Sequence, residues 1–171
     1  MVALKVKGFF LDRDKMPVAV LADESGKRLL PVRTEPSEAS AIIMRLQHIQ
    51  PPQPQAHDLL ADLFQRHGLR MERLEIGETG EPAVCSSTIV YRSLLRRRRL
   101  RARASDGLAL AVRLGAPIVA SEPLLEQSGI STLEPLLGES ASSVLFLSTA
   151  SAAGSRSPGP ARGCSAGKPF N

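Results

Sequence analysis

The first stretch of the chain alternates. Val2, Leu4 and Val6 are interleaved with Ala3, Lys5 and Lys7, the period-two pattern of a half-buried strand. A second apolar run, Pro17 to Ala22, is parted from a third, Arg28 to Arg33, by the turn cluster Asp23-Glu24-Ser25-Gly26-Lys27. Residues 1–33 therefore predict β-structure that includes a hairpin. The period then changes. Ala39, Ile42, Ile43, Leu46 and Ile49 recur at helical spacing, with Thr34 as the expected N-cap and Pro36 in the first turn. Gln50 to Ala56 contains three prolines and cannot continue a helix, so it predicts a stiff loop. A second helix is expected from about His57 to His67. Its buried face would carry Leu59, Leu60, Leu63 and Phe64, and Gly68 would end it.

Leu69 to Ile76 and Ala83 to Tyr91 read as strands around the turn Gly77-Glu78-Thr79-Gly80, and the arginine-rich segment that follows as a further extended one. Ser105 is placed to cap a third helix over Asp106 to Leu114, closed by Gly115. Pro117 to Ser121 makes a short strand, and Glu122 to Gln127 a last helical turn or two. From Glu139 onward, 21 of 33 residues are Ala, Gly, Ser or Pro, too little apolar surface to offset the entropy of ordering. The expected architecture is α+β: mixed and antiparallel strands packed with about three helices in a single compact domain over residues 1–133. A low-complexity, disordered tail would follow over 134–171, in which only Val144 to Leu147 carries a strand signal.

Composition changes this picture in two places. Hydrophobic residues are 43% and charged residues 23%, ordinary for a soluble globular chain, but aromatics are only 4% with no Trp. The core must be aliphatic, and stacking platforms for single-stranded nucleic acid are scarce. The net charge of +5 is local: seven arginines (Arg92, Arg96, Arg97, Arg98, Arg99, Arg101 and Arg103) lie between Tyr91 and Ala104, and without them the sum is −2. Such a patch suits a polyanion such as nucleic acid or an anionic membrane; the plainer reading is a solvated strand. Cys85 and Cys164 form neither a metal pattern nor a disulfide framework, which fits a reducing compartment. The chain opens on a strand pattern rather than a signal peptide. Its longest uncharged stretch, Ser140 to Ser155, is too short and polar to span a bilayer, so a cytoplasmic protein without membrane contact is expected.

The residues that could carry chemistry stand at helix starts. His57 and Asp58 follow the proline loop, where free N–H groups and the helix dipole favour anions. His57 could be a general acid/base and Asp58 a metal ligand; equally, Asp58 could be a first-turn charge and His57 a packed side chain. Arg103-Ala104-Ser105-Asp106 has the same two readings, a phosphate site or ordinary capping, and Glu38 could be a ligand or a first-turn charge. His48 and His67 look like boundary residues. Phosphate-loop, dinucleotide and paired-Cys motifs are absent from the sequence.

In combination these segments resemble a known family. Leu30-Pro31-Val32, Glu38-Ala39, the proline loop into His57-Asp58-Leu59-Leu60, Arg103-Ala104-Ser105-Asp106-Gly107, Leu110-Ala111-Val112-Arg113 and Gly115-Ala116-Pro117-Ile118-Val119 occur in the order of the bifunctional nuclease domain family. The resemblance spans about residues 1–133. It implies an α+β domain acting on RNA and DNA, with Glu38, His57, Asp58, Arg103, Ser105 and Asp106 on the family's polar motif positions. The chain departs from the family pattern at Gln53 and Ala56, where arginine and threonine are usual, at Ala104, where proline is usual, and at Arg101.

The leading expectation is a nuclease-like protein that hydrolyses phosphodiesters. His57, Asp58, Asp106 and Glu38 would be the catalytic set, and Arg103, Ser105 and Arg96 to Arg99 would bind phosphate or nucleic acid. Asp58, Asp106 and Glu38 are the candidates for a divalent cation, Mg²⁺ or Mn²⁺. The alternative is a non-catalytic oligomeric domain that binds nucleic acid or protein through the arginine segment, with a degenerate site; homo-oligomerisation fits either.

Overall fold

The structure is a computed structural model and describes residues 1–78, 85–130 and 144–146. Three antiparallel strands open the chain, β1 (Val2–Leu11), β2 (Pro17–Asp23) and β3 (Leu29–Arg33). Two helices follow, α1 (Pro36–Leu46) and α2 (Ala56–Arg66), then a second antiparallel set, β4 (Leu69–Glu78), β5 (Cys85–Ser93) and β6 (Arg96–Arg103). α3 (Ala104–Leu114), β7 (Ile118–Ala120), α4 (Glu122–Ser128) and β8 (Val144–Phe146) complete the described elements. Seven strands run in the order β3-β2-β1-β7-β4-β5-β6, and β8 pairs with the distal half of β1. β7 lies antiparallel to β1 and parallel to β4, which makes the sheet mixed. The fold is thus the expected α+β domain, with four helices where about three were expected.

One face of the sheet carries the main core. Leu21, Leu30, Ile42, Leu74, Leu108 and Leu110 are fully buried there among α1, α3 and the central strands. A smaller cluster of Phe10, Val18, Val20, Ala22 and Leu29 occupies β1–β3. α3 lies close on the sheet because Gly107 has no side chain. A Cβ there would stand 2.6 Å from Leu74 Cδ1 and closer still to Ser87 Oγ. Gly115 ends α3 in the left-handed conformation (φ 65°), as its position predicts.

Four local expectations are corrected. Thr34 does not cap α1: the N-cap is Glu35, and the Thr34 hydroxyl instead donates to the Pro17 carbonyl at 3.0 Å, tying the strand end to β2. Ser105 does not cap α3 either; Arg103 holds that position and Ser105 is buried in the first turn. Ile49 lies beyond α1, which stops at Leu46 before the left-handed His48. The largest correction concerns α2. Its core face is Ala61 and Phe64, whereas Leu59, Leu60 and Leu63 are 62%, 36% and 48% exposed. The helix leans on β4 and α3 along one narrow stripe, and its leucine flank faces outward. The arginine segment is a strand, as expected. The expected turn at residues 79–80 and the tail lie outside the described residues, except that the strand signal near Val144 is met by β8.

Candidate nucleic-acid site

Three helices begin at one place. Glu38 is in the first turn of α1, His57 in that of α2 and Asp106 in that of α3. Arg103, the residue before α3, holds them together. Its Nε donates to Asp106 Oδ2 at 2.9 Å, and its Nη2 to Asp106 Oδ1 and Glu38 Oε1, both at 3.3 Å. His57 Nε2 stands 3.5 Å from Asp106 Oδ1. That is long for a hydrogen bond, as acid–base contacts often are before substrate binds. Glu38 is nearly buried, whereas the Arg103 side chain is 63% exposed and can meet an anion from solvent.

The electrostatics of the cluster favour a charged Asp106. Burial pushes Asp106 up, but the Arg103 hydrogen bond and charge, with His57 behind them, outweigh it and hold the group below its ordinary value. Arg103 is raised in turn, chiefly by its hydrogen bond to Asp106. Beside Arg103 opens a cleft of about 370 Å³ lined by Arg33, Thr34, Cys85, Ala104 and Ser105, so the first turn of α3 faces an accessible space. Burial raises the Cys85 thiol, which suits a packed wall residue more than a nucleophile.

Asp58 directly follows His57 in sequence but is turned away from this cluster in space. Its Oδ2 accepts from the Gln55 N–H at 2.9 Å and its Oδ1 from Arg113 Nε at 2.6 Å. Arg113 is the residue that sequence reasoning passed over. Its side chain is 5% exposed, yet Asp58, the Gln55 side-chain oxygen (2.9 Å) and the Ala109 carbonyl (3.2 Å) all accept from it. The signal was present: a lone arginine in the apolar run Leu108–Leu114 must either reach solvent or bring its own acceptors. Burial raises Asp58 and the Arg113 and Gln55 hydrogen bonds overcome it, so this carboxylate too is held low.

The arginine run divides between the two faces of β6. Arg97 and Arg92 both bond Glu72, and Arg99 shares Glu75 with Arg73, on the face away from the helices. Glu72 is the extra residue of a β-bulge between Met71 and Arg73, which turns it toward these guanidiniums. Arg96 and Arg98 alternate onto the helix-facing side with Leu100 and Ala102, as their register against Ser93, Tyr91, Ile89 and Ser87 requires. Arg96, Arg98 and Arg101 have no carboxylate partner among the described residues.

A candidate cation would need three or more convergent donors. Among the described residues no such group of His, Cys, Asp or Glu side chains occurs. Of the three expected ligands, Asp58 is committed to Arg113, and Glu38 and Asp106 are bridged by Arg103. These side chains as arranged do not fit a dedicated Mg²⁺ or Mn²⁺ site.

The bifunctional nuclease domain matches residues 19–132. The chain belongs to this family. Two uncharacterized proteins of Mycobacterium tuberculosis, from strains CDC 1551 and H37Rv, are each 35% identical over 114 residues, covering 67% of this chain and 67% of their own. Membership gives this bifunctional nuclease domain a nuclease-like or nucleic-acid-related role. No helix among the described residues is long and apolar enough to cross a membrane.

Proposed function

We propose that this bifunctional nuclease domain is a cytoplasmic enzyme that hydrolyses phosphodiester bonds in RNA, DNA or both at the cluster of Glu38, His57, Arg103 and Asp106. The observation that carries this reading is the junction of the three helix starts, which sets an imidazole, two carboxylates and an exposed guanidinium within contact of one another. Arg103 takes a non-bridging phosphate oxygen and stabilises the charge that grows on it in the transition state. Ala104 and Ser105 of the first turn of α3 line the cleft beside Arg103, and the Ser105 hydroxyl and the first N–H groups of the helix donate to the neighbouring phosphate. Asp106 orients the His57 ring, and His57 takes the proton of the attacking oxygen or returns one to the leaving oxygen. Glu38 holds Arg103 from behind. No step runs through a cation, because the donors do not fit one.

A second reading is favoured by one specific observation. Arg103 is engaged by two carboxylates, which suits a structural clasp in a non-catalytic domain that binds nucleic acid or protein. One experiment separates the two. RNA and DNA oligonucleotides are incubated with the purified chain in Mg²⁺, in Mn²⁺ and in chelator, beside His57→Gln and Asp106→Asn. Cleavage that survives chelator and falls at least tenfold in both variants, with binding kept, supports the enzyme. Equal residual cleavage in wild type and both variants overturns it, and cleavage only with added metal moves the charge-stabilising role from Arg103 to a cation.

A further inference from the structure

The cleft beside Arg103 is walled by both halves of the sheet. The end of β3 and the start of α1 form one side, and the starts of β5 and α3 form the other. Much of its lining is apolar: Val32 and Ala104 are buried, and Met16 and Cys85 are half-buried beside them. Ligand sites occupy roughly 300–1,000 Å³. At about 370 Å³ this one lies at the small end of that range and suits one nucleoside rather than a length of strand.

Three polar side chains on this space retain hydrogen-bonding capacity. Ser105 is only 5% exposed, and its hydroxyl has no hydrogen-bond partner among the described residues. Arg33 donates through Nη2 to Asp12 and Asp14, at 2.7 and 3.2 Å, which leaves its Nε and Nη1 without an acceptor among the described residues. Glu35 holds the N-cap position of α1 without capping it, and its side chain is exposed. The backbone at Glu35 is extended (φ −81°, ψ 157°). Arg33 and Glu35 therefore project to the same side, while Thr34 between them turns inward to Pro17.

We propose that this cleft is the base subsite for the nucleotide whose phosphate Arg103 takes, and that Glu35 makes it selective for guanine. The inference rests on the reading of Arg103 as the phosphate ligand. A carboxylate only accepts, and its two oxygens lie side by side. Guanine alone among the common bases presents two adjacent donors to match them, N1–H and one hydrogen of the N2 amine. Adenine and cytosine set a single amine beside a ring nitrogen that accepts, and uracil sets its one N–H between two carbonyls. Each of these turns a lone pair toward a Glu35 oxygen, so the other bases are rejected while guanine is held. Arg33, on the same side, has N–H groups for guanine O6 or N7, the specific base contact that arginine makes most often. Met16 supplies a polarisable thioether for the face of the ring, in a chain with few aromatic side chains to stack on it. Ser105, on the α3 side, serves the sugar–phosphate end.

The full chain is titrated calorimetrically with GMP, AMP, CMP and UMP in chelator, which reads base selectivity whether or not the protein cleaves. GMP is expected to bind about tenfold more tightly than the other three, since it alone makes both charge-assisted hydrogen bonds. IMP lacks the N2 amine, and with it one of the two donors, and is expected to bind roughly fivefold more weakly than GMP. Glu35→Gln is expected to abolish the preference for GMP, leave AMP binding as it was and keep the circular dichroism spectrum, because the side chain is exposed and caps nothing. Glu24→Gln is the control: it removes the same charge from the exposed turn at the far end of β3 and should keep the preference. Equal binding of the four nucleotides, IMP binding as tightly as GMP, or a preference that survives Glu35→Gln or is lost equally in Glu24→Gln overturns the proposal. The two readings fail separately. Guanine selectivity in a chain that cleaves nothing removes the enzyme and leaves the subsite, and cleavage in a chain without selectivity does the reverse.

Discussion

Asp58→Ala is expected to unfold the domain more readily without touching the chemistry of the candidate site. The carboxylate makes two contacts, and both are lost. Its hydrogen bond to the Gln55 N–H closes the start of α2, worth about 1 kcal/mol for a cap. Its contact with Arg113 is the larger loss, because the guanidinium is almost fully buried and would keep only Gln55 and the Ala109 carbonyl as acceptors. Breaking a buried pair by removing one partner costs about 3–5 kcal/mol. Asp58 is a third exposed and two acceptors remain, so the lower end of that range applies, giving about 4 kcal/mol in all. For a domain of this size that is a fall in Tm of roughly 10 °C. Urea denaturation of wild type, Asp58→Ala, Arg113→Met and the double variant measures it, and the double-mutant cycle isolates the coupling. A loss below about 1 kcal/mol, or no coupling between the two positions, would refute the assignment of Asp58 to the fold. So would an Asp58→Ala protein of full stability that has lost its activity.

Gly107→Ala should destabilise the domain although alanine is the better helix former. Overpacking against Ser87 and Leu74 costs about 1–3 kcal/mol against a gain of about 1, and Ser87→Ala in the same chain should recover part of the loss. Arg28, Ser25 and neighbouring N–H groups hold Asp23 at about 2, so its stabilisation is complete above the unfolded pKa near 4 and disappears as pH falls toward 2. Acid titration of Asp23→Asn should be flatter over that window; a titration identical to wild type would exclude Asp23 as a contributor. Replacing Arg96, Arg98 and Arg101 with glutamine should weaken nucleic-acid binding and reduce the salt slope by up to about three units if all three touch duplex phosphates. The pair Arg97 and Arg99, already held by Glu72 and Glu75, should give a smaller change, and an equal one would show that those ion pairs open on binding.

What could be read from the chain was set by local rules. β1 follows from alternation, β2 and β3 from two apolar runs parted by a turn cluster, and Gly115 from the requirement for positive φ. Capping was misread at Thr34 and Ser105 because a hydroxyl near a helix start has other uses: Thr34 bonds a carbonyl of β2, and Ser105 packs inside α3. The α2 stripe failed for a different reason. Leu59, Leu60 and Leu63 have the spacing of a core face, and periodicity alone does not distinguish a face packed inside the domain from one turned outward. At the site, Glu38, His57, Arg103 and Asp106 were all named from their helix starts. The split between Asp106 and Asp58 was not legible. It depends on Arg113, more than fifty residues from Asp58 in sequence, which draws one of two similar first-turn acids away from the other.

The short strand β7 has a consequence for how the domain comes into being. β1–β3 and β4–β6 are two antiparallel meanders whose pairings lie close in sequence, and each can form from its own hairpins. Among the described residues they are joined in the sheet by β7, whose Ile118, Val119 and Ala120 pair with Leu4, Ala3 and Val2 on one side and with Leu74, Glu75 and Ile76 on the other. That seam closes a long loop, from Val2 to Ala120, and its entropy must be lost before the two halves reward it. During synthesis the β1 edge that β7 will cover therefore stays open until nearly all of the domain has left the ribosome. Until that point the N-terminal meander is a nascent sheet with an unsatisfied edge.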